Sequence, residues 1–488
     1  MSIAIRLNPR RARRWHVDLR TALQARTQED VFVVFEDGPS CSSSIELLLD
    51  LEKVLYLRSG ASPIDRLDQR DLGSSTSTSE PRLVVDLSGN SKAALDSCLT
   101  PLFDGAPQEE ALVGALIAGR VPVIEILSSP NQETVAEVAP ALDEAHSVRE
   151  RFELAVRHTQ RVLLRAMSMP RASTRRKTIN WPPPSIWGIG GYAMHLVASA
   201  AVRRAYQLCL FSPHWRVGWR FVEDGGIWAR HSLEGVPWNS VADSGYRFYA
   251  DPFPFTVNGK TYIFVEDFDH HGGIGTISAI PFDERGQTGP AEAVLSERWH
   301  LSYPFLFQHG DETWMIPESS QARRISLYRS NDFPAGWVRE VDLIKDIDAS
   351  DASLVRFRGK WWMFATVKDE LGGLMDSLSL FYADDLFGPW LPHPRNPVLV
   401  DVAGARQGGW FFQQGDRLCR PVQDCRAGYG RALGLAEVTV LNEHDYAQVI
   451  HTVLRPDANW PGRRLHTLNR FGKLECIDGS RNSLRFVG

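Results

Sequence analysis

Cysteine is scarce in this sequence, 6 in 488 residues. Cys41, Cys98, Cys209, Cys419, Cys425 and Cys476 are scattered without a C-x-x-C pair, which argues against a zinc site and against a disulfide framework. No G-x-G-x-x-G follows a strand-like run and no G-x-x-x-x-G-K-[ST] occurs, so both common phosphate-cradling loops are missing. Charge of one sign is not in excess either. A net charge of -5 gives no overall pull toward nucleic acid or an anionic membrane. The opening MSIAIRLNPRRARRW has no apolar signal core, and the most membrane-like stretch, 187–211, is interrupted by Arg203 and Arg204 before it reaches spanning length. These absences predict a cytoplasmic protein with no transmembrane segment, no cofactor and no metal centre, and a buried or interfacial helix within 187–211.

Aromatic residues are abundant, with 15 Trp and 23 Phe crowding the C-terminal half. They accompany a phrase that recurs in altered form. ADPFPF (250–255), a turn at Asn258-Gly259-Lys260 and TYIFVED (261–267) read as an apolar strand, a tight turn and an aromatic strand ending in acids. The phrase returns as YPFLF, His309-Gly310-Asp311, TWMIPES, then as DASLVRF, Arg358-Gly359-Lys360, WWMFATV. A fourth copy is RQGGWFF, Gln414-Gly415-Asp416, RLCRPVQD, and a shorter fifth is HTLNRF, Gly472-Lys473, LECIDG. Copies spaced by roughly 50 to 60 residues are the mark of a radial array. The spacing predicts an all-β five-bladed β-propeller over residues 213–488, with Trp314, Trp361, Trp362 and Trp410 packing its blades.

Residues 1–140 read differently. VFVVFE (31–36), RLVVDLSG (82–89) and VPVIEIL (121–127) are strand-like, while IELLLDLEKVLY and QEEALVGALIAG have helical apolar spacing, with Ser42 to Ser44 placed to cap the first helix. That alternation predicts an α/β domain of Rossmann or formyltransferase-like type with a parallel sheet. Turns at Asp37-Gly38-Pro39-Ser40 and Asp104-Gly105-Ala106-Pro107 are candidate ligand loops, with plain connection the better reading. Residues 141–212 form a helical and Pro/Arg-rich linker, with helical periodicity over 132–167, a basic cluster at Arg171, Arg175, Arg176 and Lys177, and a break at Pro182-Pro183-Pro184.

The repeat phrases also carry a family resemblance. ADPFPF, DASLVRF and LFGPW (386–390) resemble phrases of five-bladed glycoside hydrolases of the arabinanase and xylosidase type, family 43. Over residues 215–478 the chain resembles the N-terminal domain of plant glucosamine inositolphosphorylceramide transferases, which implies a carbohydrate-related propeller and a glycosyltransferase supplied separately. The phrases LVVDLSGN and PLFDGAPQEEALVGALIAGRVPVIEI resemble the N-terminal domain of formyltransferase-like proteins. Catalysis in that family uses an N-x-H phrase, and none occurs in the first 180 residues, so the expectation is a non-catalytic relative or a different α/β domain.

In a propeller the innermost strands line a central channel, and their first residues gather at one mouth. Aligning the copies places Asp251, Tyr303, Asp351, Arg406 or Gln407, and His466 on that ring. The antiparallel second strands return Glu266 and Asp267, Glu318 and Ser319, Thr366, Gln423 and Asp424, and Asp478 to the same mouth. Converging carboxylates suit glycosidic chemistry, in which one activates water or attacks the anomeric carbon and a protonated one serves the leaving oxygen. The family-43 resemblance implies Asp251 as base, Asp351 as the aspartate that tunes a neighbouring pKa, and His466 as the histidine near a central ion. Its acid is a Glu opening the fourth blade, where this sequence reads Ala405-Arg406-Gln407-Gly408. Glu318 is the geometric substitute, with Glu266 behind it. The expected function is therefore a glycoside hydrolase-like or transglycosylating protein with Asp251, Glu318 and Asp351 as catalytic residues. Glu266, Asp267, Tyr303, Ser319, Arg406, Gln423, Asp424 and His466 would bind a carbohydrate or glycoconjugate. The alternative is a non-catalytic glycan- or glycolipid-binding module serving a glycosyltransferase.

Overall fold

The protein is described from a computed structural model that covers residues 2–38, 40–56, 60–72, 80–90, 97–129, 131, 133–142, 147–168, 190–192, 194, 210–369 and 371–484. The basic cluster 171–177, the proline run 182–184, Cys209 and most of the 187–211 helix expectation lie outside the described residues. Two compact units divide the chain, Met1–Ala200 and Ala201–Gly488.

The first unit holds a six-stranded sheet. Its strands are β1 (Ser2–Leu7), β2 (Asp30–Phe35), β3 (Leu83–Leu87), β4 (Cys98–Phe103), β5 (Ile124–Ser128) and β6 (Glu133–Val138), in the order β2-β1-β3-β4-β5-β6. The helices are α1 (Arg14–Thr27), α2 (Ser43–Leu55), α3 (Glu109–Ile117) and α4 (Val148–Ser168). The expected parallel sheet is only half right. Neighbours from β2 through β4 are parallel, whereas β4-β5 and β5-β6 are antiparallel.

The antiparallel edge has a local cause. ETVAEV, read above as the start of a helical stretch, pairs with β5 as a hairpin, its β-branched Thr134, Val135 and Val138 all buried. The central strand β1 was given no element above, although its apolar run is what a strand buried on both faces should show. Ser42 precedes α2 without capping it; its hydroxyl lies 2.8 Å from that of Ser44, and Glu46 turns to the Arg13 guanidinium at 2.6 Å. Asp104, in the second candidate loop, accepts from the Val123 N–H at 2.8 Å and pairs with Arg120 at 3.0 Å, which makes it a turn residue.

The second unit is the five-bladed propeller. Blades one to four are four-step antiparallel meanders, with inner strands Arg247–Val257, Ser302–His309, Ala349–Phe357 and Phe412–Gln414 and second strands Lys260–Asp269, Glu312–Glu318, Lys360–Val367 and Arg417–Asp424. Asn258-Gly259 (φ 50° and 74°) and Arg358-Gly359 (φ 50° and 83°) adopt the paired left-handed backbone of tight hairpin turns, as the repeat phrase requires. The fifth blade is a composite. Its inner strands Leu468–Phe471 and Leu474–Leu484 come from the C-terminal end, and its outer strands Leu210–Phe221 and Asn239–Ser240 from the beginning of the unit.

This closure ties the two ends of the propeller together through a ladder of ten residue pairs from Leu474 to Leu484 against Phe221 to Leu210. A fully buried ion pair locks it. Arg220 meets Glu475 at 2.8 Å and also donates to the carbonyls of Leu233, Glu234 and Val236, while Glu475 accepts from the Ile227 N–H at 2.8 Å. Inside the ring, the Tyr303 hydroxyl accepts from the Gly409 N–H at 2.9 Å and lies 3.0 Å from Ser353 Oγ, joining blades two, three and four. Gly409 has φ 137°, and a Cβ there would stand 2.1 Å from the Leu468 carbonyl oxygen, so the close approach of blades four and five needs glycine.

Candidate functional site

Three ring positions share one backbone device. Asp251, Tyr303 and Asp351 have φ of 49°, 43° and 53°, and each stands where the inner strand carries extra residues against its partner. A bulge re-aims a side chain along the channel, and left-handed backbone at a non-glycine costs on the order of 1 to 3 kcal/mol per residue. Pro252 and Pro304 follow directly, at a position where the ladder needs no N–H. The repeated Asp-Pro, Tyr-Pro and Asp-Ala steps are thus the sequence form of a repeated bulge.

Asp251 lies at the centre of the first cluster. Its carboxylate accepts from Thr467 Oγ1 at 2.8 Å and from the Tyr303 N–H at 3.2 Å, and His466 Nε2 stands 3.7 Å away. Asp478 accepts three backbone N–H groups, those of Asp251, His466 and Thr467, and holds His466 Nδ1 at 2.6 Å. The imidazole in turn stacks on Trp215 at 4.0 Å. Burial pushes the Asp251 carboxyl up to about 7; His466 opposes the shift, while Glu266, Asp478 and Asp351 add to it. Burial alone would lower His466, but Asp478 and Asp251 reverse that and raise it. Asp251, His466 and Asp478 each offer a ligand atom within 4.8 Å of the others. The donor set suits a shared proton, because the imidazole Nδ1 is already bound to Asp478 and both carboxylates favour its protonated form.

Asp351 forms the second cluster. Arg406 grips it with Nε at 2.6 Å and Nη2 at 3.3 Å, and Gln423 Nε2 donates to it at 2.9 Å. The guanidinium also reaches the Leu374 carbonyl and lies 4.9 Å from the centre of the Tyr429 ring. Burial pushes Asp351 up while Arg406 pulls it down; burial would neutralise Arg406, and Asp351 keeps it charged, well above its ordinary value. Neither group is stable there without the other.

The strand period sorts the paired residues at the second-strand ends, because neighbours point to opposite faces. Glu266 faces His300, 3.3 Å away, and is among the charges acting on Asp251, whereas Asp267 is clamped by Arg247 at 2.9 Å and by Ser278 at 2.7 Å. Glu318 accepts from Ser302 Oγ at 3.0 Å and from the Ser320 N–H at 2.9 Å, and it acts on Asp351; Ser319 donates instead to the Arg324 carbonyl. Gln423 reaches Asp351, whereas Asp424 pairs with Arg426 at 2.6 Å. The Tyr303 side chain is committed to Gly409, Gln407 holds Arg420 at 2.6 Å, and Thr366 bonds the Ser350 carbonyl. The mouth therefore brings together Asp251, Glu266, Glu318, Asp351, Arg406, Gln423 and His466. Thr467 and His300 join them without a repeat signal: one is a neighbour of His466, the other lies in a loop between blades.

Comparison with known proteins gives this geometry a context. Residues 236–476 match the family described as Glucosamine inositolphosphorylceramide transferase 1, N-terminal. Over that range the propeller is similar to the N-terminal domain of that family. Curated proteins named Glucosamine inositolphosphorylceramide transferase 1 are 33% identical over 255 residues in Oryza sativa subsp. japonica and 31% over 238 residues in Arabidopsis thaliana, covering 49% and 46% of this chain. The matched part spans about a third of the length of those relatives, 34% and 31%. Among solved structures, the chain is similar to Zg3597, a family 117 glycoside hydrolase of Zobellia galactanivorans, at TM-score 0.36 and 14% identity over 54% of this chain and 90% of that one. The catalytic domain of a GH62 α-L-arabinofuranosidase of Coprinopsis cinerea is similar at TM-score 0.36 and 12% identity, over 48% and 81% of the two chains. Among the described residues no helix is long and apolar enough to cross a membrane.

Proposed function

We propose that the propeller is a carbohydrate-active domain whose ring mouth takes a sugar residue of a glycan or glycoconjugate, with Asp251 and Glu318 as the proton-exchanging pair. The observation that carries this reading is Asp251, buried among carboxylates and pushed up to about 7. A carboxyl poised there gains and loses a proton near neutral pH, as general acid–base chemistry on a glycosidic bond demands. Asp351, fixed by Arg406, places a second carboxyl group beside Glu318. Glu266, Gln423, Arg406 and His466 line the same mouth and supply hydrogen bonds to hydroxyls.

A second reading is supported by Arg406 itself. It stands where the family-43 resemblance implies an acid, and its clamp on Asp351 leaves a satisfied, rigid surface suited to holding a glycan or glycolipid for a separate glycosyltransferase. The α/β unit fits the same picture as a formyltransferase-like relative without catalysis: its β2-β1-β3-β4 core is parallel and reverses winding at β1. The test is an aryl-glycoside and glycan-array screen of the wild type beside Asp251→Asn and Glu318→Gln. Turnover abolished by either change, with binding retained, is the expected result. Binding without turnover in all three proteins would retire the acid–base roles and leave the recognition reading.

A further inference from the structure

The propeller has a second concavity, and it does not involve the ring carboxylates. A cavity of about 260 Å³ opens between the inner strands of blades two, three and four. Its lining runs from mid-strand, at Phe305 and Leu354, to the hairpin ends, at Gln308, Arg356 and Gln413. Arg356 follows Asp351 by five positions on one inner strand, which at about 3.3 Å per residue puts it roughly 15 Å along the channel axis. The polar rim of the cavity therefore lies toward the opposite mouth.

Its walls are aromatic and its rim is polar. Phe307, Trp361, Trp410 and Phe411 line it, with Gln308, Arg356 and Gln413 at the edge. The Trp410 ring is held rigidly, its Nε1–H donating to the Leu306 carbonyl at 2.8 Å and its backbone N–H to Asn469 at 2.6 Å. Trp361 packs against Phe307 at 6.1 Å and His309 at 5.6 Å. These rings pack blades, as expected, and still present a fixed apolar floor. Gln308, Arg356 and Gln413 are exposed, and no described residue hydrogen-bonds or ion-pairs with the Arg356 guanidinium or the Gln308 amide.

We propose that this far mouth is a separate carbohydrate site taking one pyranose residue, with a carboxylated sugar preferred. The size suits one small cyclic ligand, just under the usual range of about 300 to 1,000 Å³ for drug-sized ligands, and is too small for a polypeptide. An aliphatic chain would fill the aromatic floor but make no use of the unpaired Arg356 guanidinium and Gln308 amide at its rim. A pyranose satisfies both surfaces: its C–H face lies on the indole and phenyl rings, and its hydroxyls meet the amides. Arg356 supplies a fork for a carboxylate. The site stands apart from the acid–base reading of the ring, and the two can fail independently.

The test is titration of the full chain with the methyl glycosides of glucuronic and galacturonic acid and with their neutral hexose counterparts, followed by tryptophan emission and calorimetry. Saturable binding is expected, at least tenfold weaker for the uronides in Arg356→Ala, weaker for all probes in Gln308→Ala, and unchanged in Asp251→Asn. Both rim residues are exposed, so their substitution leaves the fold intact. Absence of saturable binding by every probe overturns the proposal. So does binding that Asp251→Asn removes and Arg356→Ala does not, or saturation by a medium-chain alcohol in place of the sugars.

Discussion

Replacing Arg406 with methionine should convert Asp351 from a paired charge into an isolated one, and the cost can be bounded. The substitution removes two donors, at 2.6 and 3.3 Å, and leaves only Gln423 at 2.9 Å on a carboxylate that is 2% exposed. Breaking a buried pair from one side typically costs about 3 to 5 kcal/mol. Protonation of Asp351 caps that loss. Relative to an unfolded carboxyl near about 3.9, neutralising it costs about 5 kcal/mol at pH 7.5 but only about 2 kcal/mol at pH 5.5. The sign follows: in the variant the folded pKa lies well above the unfolded one, so the folded state holds the extra proton and stability falls as pH rises from about 4 toward the folded value. The expected deficit is therefore about 3 to 5 kcal/mol at pH 7.5 and no more than about 2 kcal/mol, plus a small packing loss, at pH 5.5. Urea unfolding followed by tryptophan emission reads it, since 12 of the 15 tryptophans lie at or beyond Trp215. Adding Asp351→Asn to the variant should restore most of the stability at pH 7.5 and flatten the profile. A deficit equal at both pH values, or below about 1 kcal/mol at both, would refute the claim that Arg406 compensates Asp351.

The fifth-blade closure predicts that Arg220→Met, which strands the fully buried Glu475, lowers propeller stability by about 3 to 5 kcal/mol, and that Arg220→Met with Glu475→Gln recovers part of it in the same urea assay. Asp251, with its folded value raised to about 7, should make the propeller less stable as pH rises from about 4 to 7; Asp251→Asn should remove up to about 2 to 3 kcal/mol of that decline, measured by denaturation at pH 5 and 7. His466, also raised, contributes stability that is lost at higher pH, so a residual decline should survive in the variant. Gly409→Ala should destabilise by at least about 2 kcal/mol, because the Cβ meets the Leu468 carbonyl at 2.1 Å, whereas Gly415→Ala, with open space around it, should cost about 1 kcal/mol for its positive φ; thermal melts of the pair distinguish them.

What the sequence determined by itself was the repeated unit. Strand, tight turn and aromatic strand are local facts, set by alternation and by left-handed residues such as Asn258-Gly259, so five copies could be counted and their first residues placed on one ring. The ring bulges were written there too, as Asp-Pro, Tyr-Pro and Asp-Ala steps, although their left-handed backbone was not. Which of two adjacent residues faces the mouth is a matter of register, and only pairing separates Glu266 from Asp267 or Gln423 from Asp424. The partners of each acid are further from sequence still: Arg406 lies 55 positions from Asp351 and Thr467 lies 216 from Asp251. The same holds for the fifth blade, built from both ends of the unit, and for the sheet of the first unit, where β6 carried a pattern that reads equally as helix until β5 is beside it. Periodicity describes how one segment meets its surroundings. Strand direction, closure and the charge state of buried groups depend on which segments those surroundings turn out to be, and in this protein the tertiary structure alone decides that.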